Sequence, residues 1–493
     1  MQLKSLLDHL LICRGSFSDN PDITSVETDS RNVTDGSLFI CIRGHTVDGH
    51  DFADEAVQSG AAAIVSEQPL KVPVPTAVVP DSKRAVAVLA DAFYGRPTKQ
   101  LRLIGVTGTN GKTTTTHLIQ AIFAGNGEKT GLIGTVGMKI AGESAGLRSA
   151  TPTTPEAVVL QKAFAKMVKE NVDMAVMEVS SHALDMGRVW GSDFDIAVFT
   201  NLSQDHLEYH PTMEHYFQAK SLLFSQLGNT YDRNGRKAAV INADDARAED
   251  LKRVTAVQIL TYGIKNHADV RAQQIELSEK GTRFLLATPF GSREITMPLI
   301  GLFNVYNALA AASSALLSGI SLDRVKESLE SVSGVPGRFE VVGEGHPFTV
   351  IVDYAHTPDS LENVLSTVRQ FARGRVFAVV GCGGDRDHTK RPLMAQVAVK
   401  YSDVAVFTSD NPRNEDPLAI IRDMEKGVNG EAFVSIPDRS EAIHYAVGEA
   451  SDGDIIVIAG KGHETYQIIG GDVIDFDDRE VARQAIMRRS GSK

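Results

Sequence analysis

Cysteine is scarce. The 493 residues hold three, Cys13, Cys41 and Cys382, too far apart for a disulfide framework or a metal spacing. A reducing compartment, the cytoplasm, is the expected setting. Positive charge is also short: 50 Lys and Arg against 62 Asp and Glu leave a net charge of -12. That argues against nucleic acid as the main partner. A small phosphorylated substrate is still allowed, because a few local donors hold it. An apolar run of about 18 residues is missing, so no membrane span is expected. The opening MQLKSLLDHLLICRGSF has a short apolar stretch broken by Asp8 and His9 and no small-residue cleavage site. It reads as an amphipathic helix rather than a signal peptide. No repeat of about 20–50 residues is visible.

What is present is a soluble composition, 42% hydrophobic and 23% charged, in a chain of about three domains' length. Breaks at AFYGRPTKQ (92–100) and VSGVPGRFE (332–340) divide it into 1–98, 99–332 and 333–493. The last two parts share a grammar: a short apolar, β-rich run, a polar glycine-rich loop, then helical periodicity. LRLIGV, VDMAVMEV, DIAVFT, KAAVIN and AVQILTYG are the runs of the middle part; TVIVDYAH, VFAVVGCGG, DVAVFTSD and DIIVIAGKG are those of the third. Such runs alternating with helices predict parallel sheets covered on both faces. SLENVLSTVRQFA places Leu361, Val364, Leu365, Val368 and Phe371 on one helix face. Ligands of open α/β sheets bind beyond the carboxyl ends of strands, where the polar loops of this chain fall.

The clearest loop is GVTGTNGKTTTT, 105–116. Gly108, Thr109, Asn110 and Gly111 form a loop whose backbone N–H groups can cradle phosphate at a helix N-terminus. Lys112 reaches the terminal phosphates, the Thr113 hydroxyl suits Mg2+, and Thr114 continues the turn. The strict phosphate-loop pattern has glycine where Val106 stands. A second signal is MEHYFQAKSLLFSQL. Its apolar stripe, Met213, Tyr216, Phe217, Leu223, Phe224 and Leu227, has Lys220 in the middle. A lysine on the core side of a helix either runs its stem to a rim or has a partner. A third is TSDNPRNEDP, 408–417, where Arg413 follows a strand-like run although no turn requires it.

The T-G-T-N-G-K-T variant resembles the ATP site of the Mur ligase superfamily, which includes folylpolyglutamate synthetase and joins carboxylates to amines through acyl phosphates. The resemblance implies that Lys220, after the run TNLSQDHLEYH, reacts with CO2, and that the carbamate ligates a second Mg2+ with Glu178 and His206. Burial favours the neutral amine this needs. Oxygen ligands with one imidazole suit Mg2+ or Mn2+ better than zinc. His210 and His215 are read as structural. Lys112, Glu178, His206 and Lys220 are thus the expected catalytic set. Asn304 in GLFNVYNALAA, Arg338 in PGRFE, and Asp353 and His356 in VDYAHTPDSLEN are implied ATP contacts from across a cleft that closes.

Residues 1–98 carry DSR…GSLF…RGHTVDGHDF, which resembles the uridine-nucleotide domain of UDP-N-acetylmuramoyl-tripeptide synthetases and is absent from folylpolyglutamate synthetase. Ser30, His45, Thr46 and Val47 are the implied nucleotide contacts. Thr153, Thr154, Ser180 and Arg188 are those to sugar, diphosphate and peptide. Met186 stands where the family commonly has glutamine, removing a hydrogen bond there. Arg386, Asp410, Asn411, Pro412, Arg413, Gly460 and Glu464 are the implied amino-acid site. Two guanidiniums and two acids suit a ligand carrying both carboxylate and ammonium, which meso-diaminopimelate has at its far end and lysine lacks.

The expectation is therefore a three-domain α/β protein: a smaller N-terminal domain, a central parallel-sheet ATPase domain and a C-terminal Rossmann-like domain. It would be a monomeric, ATP- and Mg2+-dependent ligase adding meso-diaminopimelate to UDP-N-acetylmuramoyl-L-alanyl-D-glutamate. An L-lysine-adding sibling, another carboxylate–amine ligase and a slow nucleotide-binding regulator remain alternatives.

Overall fold

The structure, a computed structural model, describes residues 1–15, 19–44, 47–147, 151, 153–228, 237–278, 280–343, 345–430 and 433–491. Three main sheets organise the chain. The first has four parallel strands, Ser25–Glu27, Ser37–Ile40, Ala61–Ser66 and Thr76–Val78. The opening helix is short, Leu3–Leu7, and buries Leu3, Leu6 and Leu7 in the core of this sheet.

Strand Arg102–Thr107 lies inside an eleven-stranded sheet, paired in parallel with Met174–Glu178 and Ile196–Phe199. Its residues alternate between two cores, as side chains of a strand must. Ile104 and Val106 join Ile119, Phe123 and Leu309, whereas Leu103 joins Phe164, Phe217 and Phe224. Each fully buried side chain of this size is worth about 1.5–3 kcal/mol. Val106 pairs with Val198 and Glu178 and is fully buried. The departure from the strict phosphate-loop pattern thus sits in the strand, where a β-branched residue packs well.

The parallel central sheet that the sequence predicts is present, and antiparallel strands extend it. Val270–Ser278, Gly281–Thr288 and Gly291–Met297 extend it as an antiparallel meander. Only one face of the meander is covered: Phe284, Leu286, Ile295 and Met297 pack with Leu322, Val325 and Leu329. The other face carries exposed polar residues, an arrangement open to antiparallel strands.

The third sheet runs Glu340–Val342, Thr349–Asp353, Ile455–Ala459, Val376–Cys382, Val404–Ser409 and Phe433–Ser435. All pairs but the first are parallel. The loops after its inner strands therefore emerge at one edge. That edge meets the carboxyl-end loops of the central sheet across a shared cavity of about 460 Å3. Among the described residues, no helix is long and apolar enough to cross a membrane.

Candidate active site

The phosphate loop owes its shape to two glycines. Gly108 has φ +146°, and a Cβ there would lie 1.9 Å from the Thr200 hydroxyl. Gly111 has φ +85°, and its Cβ would meet the Asn307 side-chain oxygen at 2.4 Å. Asn201 braces the loop by accepting from Thr109 N–H on its carbonyl and from Asn110 N–H on its side chain, both at 2.9 Å. Helix Lys112–Gly125 follows. The Lys112 ammonium folds back and donates to the carbonyls of Gly108 and Thr109, both at 2.8 Å. Burial lowers its pKa, with Glu178 and Asp205 pulling the other way.

Glu178, at the end of its strand, is 1% exposed. Its carboxylate accepts from the Thr113 hydroxyl at 3.0 Å and from the Thr135 N–H and hydroxyl at 2.9 and 3.0 Å. Thr135 lines the cavity and is absent from the sequence-based site.

Lys220 does not run to a rim. It is 1% exposed, donates to the Gly108 carbonyl at 2.8 Å and sits 4.4 Å from the Tyr216 ring centroid. It thus shares one acceptor with Lys112. Burial, and then the Lys112 charge, push its pKa well below the ordinary lysine value against the pull of Asp205. Glu178 and His206 line the cavity, and Lys220 lies behind its wall. His206 has φ +57° and approaches Asp205 at 3.4 Å and Glu208 at 3.5 Å. His210 meets the Ser181 hydroxyl at 3.0 Å, and His215 meets Thr212 at 2.8 Å, as structural roles require.

The C-terminal third closes over this loop. Arg338 donates to the Thr113 hydroxyl at 3.0 Å, and its guanidinium lies 4.3 Å from the Tyr354 ring centroid. Asp353 accepts from the backbone N–H groups of Phe339 and Ala355, both at 2.7 Å. Burial raises its pKa, opposed by Arg338. His356 and Lys390 approach Asp205 at 3.7 and 3.6 Å. Burial alone would raise Asp205, yet His206, His356 and Lys390 together hold it well below the usual carboxylate range. Asn110 donates to Asp359 at 2.7 Å across the same gap.

Asn304 does not line the cavity. It donates to the Ile300 carbonyl at 2.9 Å and accepts from Asn307 at 3.1 Å, so Asn307 faces the cavity and Asn304 orients it. Thr109, Asn110, Gly111, Thr113 and Thr114 all line it.

Thr153 and Ser180 line the flank of the cavity. Thr154 is buried; its hydroxyl donates to the Glu178 carbonyl at 2.9 Å and accepts from Ser180 N–H at 3.0 Å. The Ser180 hydroxyl caps helix Ser181–Asp185. Arg188 pairs with Glu156 at 3.1 Å and donates to the Met186 sulfur at 3.1 Å, so Met186 keeps a polar contact, to the arginine itself. Ser30 stands apart from the cavity, with its hydroxyl 3.3 Å from Glu55. Val47 is exposed, and His45 and Thr46 lie outside the described residues.

A second cluster forms where Val376–Cys382, Val404–Ser409 and Ile455–Ala459 end. Arg413 has φ +51°, and its N–H donates to the Ile468 carbonyl at 3.0 Å. Its guanidinium donates to the Gly384 carbonyl at 2.8 Å. A Cβ at Gly383 would lie 2.9 Å from that guanidinium, and one at Gly384 would lie 1.9 Å from the Pro412 carbonyl. Two loops of the sequence, GCGGDRD and DNPR, are therefore in direct contact. Burial, and then the neighbouring Arg386, lower the Arg413 pKa, with Asp410 and Glu464 opposing. The Asp410 carboxylate lies against Gly460, where a Cβ would be 2.5 Å away. Glu464 accepts from Asn411 at 2.9 Å and from Lys461 at 3.1 Å. Lys461 is fully buried and was missed from sequence, since a lysine between glycines reads as solvated.

Three family models match in order: the Mur ligase family catalytic domain over residues 22–94, the Mur ligase middle domain over 106–315, and the Mur ligase glutamate ligase domain over 337–462. A UDP-N-acetylmuramoyl-L-alanyl-D-glutamate–2,6-diaminopimelate ligase of Geobacillus thermodenitrificans is 62% identical over 99% of this chain and 100% of its own. The protein of that name from Geobacillus kaustophilus is 60% identical over 99% and 100%. A solved structure of a ligase of the same name is 38% identical over 95% of both chains, with a TM-score of 0.66. The chain belongs to the Mur ligase family.

Proposed function

We propose that the chain is an ATP-dependent ligase that joins meso-diaminopimelate to UDP-N-acetylmuramoyl-L-alanyl-D-glutamate in peptidoglycan precursor synthesis. The observation that carries the reading is the meeting of two edges: the phosphate loop with Glu178 on one side, Arg338, Asp353 and His356 on the other, in one cavity. The names of the relatives give the substrate pair. The protein is taken to be cytoplasmic and monomeric. Residues 1–98 are assigned to the uridine nucleotide, 99–332 to ATP and 333–493 to the incoming amino acid.

In the reaction, the side-chain carboxylate of D-glutamate attacks the γ-phosphorus of ATP. The bond to the β–γ bridging oxygen breaks, ADP leaves and an acyl phosphate forms. An amine of diaminopimelate attacks the acyl carbon and loses a proton. The tetrahedral intermediate collapses to the amide, and inorganic phosphate departs with the C–O bond electrons. Lys112 leaves the loop carbonyls for the phosphates and offsets their growing charge, and Arg338 adds a second cation from the far wall. The remaining work is positioning.

The Thr113 hydroxyl and Glu178 carboxylate are oxygen donors 3.0 Å apart, a set that fits Mg2+. A second ion would use Glu178, His206 and a carbamate on Lys220, formed as the amine adds CO2 and releases a proton; burial shifts that amine's pKa in the direction this step needs. Bound Mg2+ would neutralise phosphate charge. Thr153, Thr154, Ser180 and Arg188 hold the nucleotide-peptide beside the loop, with Ser30, His45, Thr46 and Val47 at the uridine end. Arg386, Asp410, Asn411, Pro412, Arg413, Gly460 and Glu464 hold the amino acid. The test is phosphate release with ATP, nucleotide-dipeptide and meso-diaminopimelate, omitting each in turn. Release only with all three supports the reading; release with ATP alone points to a nucleotide-hydrolysing regulator.

A further inference from the structure

The described cluster around Arg413 contains a charge that the amino-acid site has no evident use for. Lys461 has no exposed surface, and a lysine is almost never found so deep without a partner. Its ammonium donates to the Asn411 side-chain oxygen at 3.0 Å and to the Glu464 Oε2 at 3.1 Å. The Tyr466 ring centroid lies 5.5 Å from it.

These bonds fix two neighbours at once. The Asn411 side-chain oxygen also accepts from Ile468 N–H at 3.0 Å, so its amide has one orientation. The amide nitrogen then points at the same Glu464 Oε2, at 2.9 Å. One oxygen of Glu464 is thereby held twice. Among the described residues, the other, Oε1, has a long contact, 3.4 Å, to the Tyr354 hydroxyl as its partner.

We infer that Lys461 is a positioning residue for the amino-acid ligand: it locks Asn411 and one oxygen of Glu464, so that the other oxygen is presented to the ligand's ammonium. The inference rests on the ligase reading above. Lys461 acts through Asn411 and Glu464 rather than on the ligand directly. Its charge offsets one carboxylate, which leaves Arg386 and Arg413 for an anionic group and Glu464 Oε1 with Asp410 for a cationic one. A site so arranged recognises a zwitterionic head, and a rigid acceptor discriminates better than a mobile one.

The experiment is steady-state ligation by the full-length chain and its Lys461→Met and Lys461→Gln variants, varying each of the three substrates. The expected result is a rise of at least about tenfold in KM for meso-diaminopimelate, with KM for ATP and for the nucleotide-dipeptide within about twofold of wild type. Lys461→Gln, which keeps a donor, falls between wild type and Lys461→Met. Adding Glu464→Gln to Lys461→Met costs less than the two single effects combined, because both act through one carboxylate. Equal loss for all three substrates, or a fall in kcat alone, overturns the inference. So does full additivity with Glu464→Gln. Should Lys461→Met fail to fold, the Lys461→Gln split decides. No ligation by wild type would instead remove the ligase reading.

Discussion

Arg338, from the C-terminal third, donates to the hydroxyl of Thr113 in the phosphate loop at 3.0 Å. Thr113 in turn donates to Glu178 at 3.0 Å. One hydroxyl thus ties the two sides of the cleft together and touches the carboxylate proposed for the metal. The cleft is already closed in this structure, and Asn110–Asp359 and Asp205–His356 span it as well.

Closure gives the first prediction. Asp205→Asn removes the anion that His356 and Lys390 share, and Lys390, 5% exposed, is left without that countercharge. Removing one partner of a buried ion pair costs about 3–5 kcal/mol. The variant's radius of gyration by small-angle scattering should exceed that of wild type. Equal radii would show that Asp205 does not hold the cleft.

Lys112→Ala should lower ligation by about 10²–10³-fold, the usual cost of removing a preorganised charge partner. Near-normal turnover would take the phosphate loop out of the mechanism.

Lys220→Ala should lose activity, and added short carboxylates should restore part of it by supplying the missing anion. Activity without rescue would leave Lys220 as a brace on the Gly108 carbonyl. Mass spectrometry does not test this, because carbamates revert in acid; turnover with and without bicarbonate does.

The C-terminal core offers a stability test. Arg439 and Asp478 have no side-chain exposure and form a two-pronged pair, 2.7 Å on both prongs. Asp478→Asn leaves a buried guanidinium uncompensated and should cost about 3–5 kcal/mol. A thermal midpoint within 1–2 °C of wild type, far less than such a loss produces, would contradict it.

The phosphate loop was legible because strand, glycine spacing and helix occur in one short stretch. Helical periodicity places Lys220 on the core side, between Tyr216, Phe217, Leu223 and Phe224, but leaves open whether its ammonium reaches a rim or a buried partner; packing decides. Asn304 and Asn307 lie three residues apart on one helix, and only packing shows that Asn307 is the one facing the cavity. The antiparallel meander leaves little signal in the sequence: its strands alternate in burial and lack continuous apolar runs. Two partners of Asp205, His356 and Lys390, lie in the last third of the chain, and no local pattern joins them to it. Lys461 is buried because the hairpin Tyr466–Ile469 and Asp472–Asp475 returns onto the DNPR loop, an event of tertiary structure.

In the proposed site, Arg413 reads the distal carboxylate of the amino acid that is added. Arg413 donates to the Gly384 carbonyl, and the neighbouring Arg386 charge lowers its pKa, a setting that the proposed distal carboxylate would offset. Sites built around a polar group reject ligands that lack it by about 10⁴-fold or more. The decisive measurement is kcat/KM of the wild-type chain for meso-diaminopimelate and for L-lysine, repeated with Arg413→Ala. The expected result is ligation of meso-diaminopimelate, at least about 10⁴-fold poorer use of L-lysine, and a narrowed gap in the variant through loss of the former. Comparable use of both amino acids by the wild-type chain would contradict it.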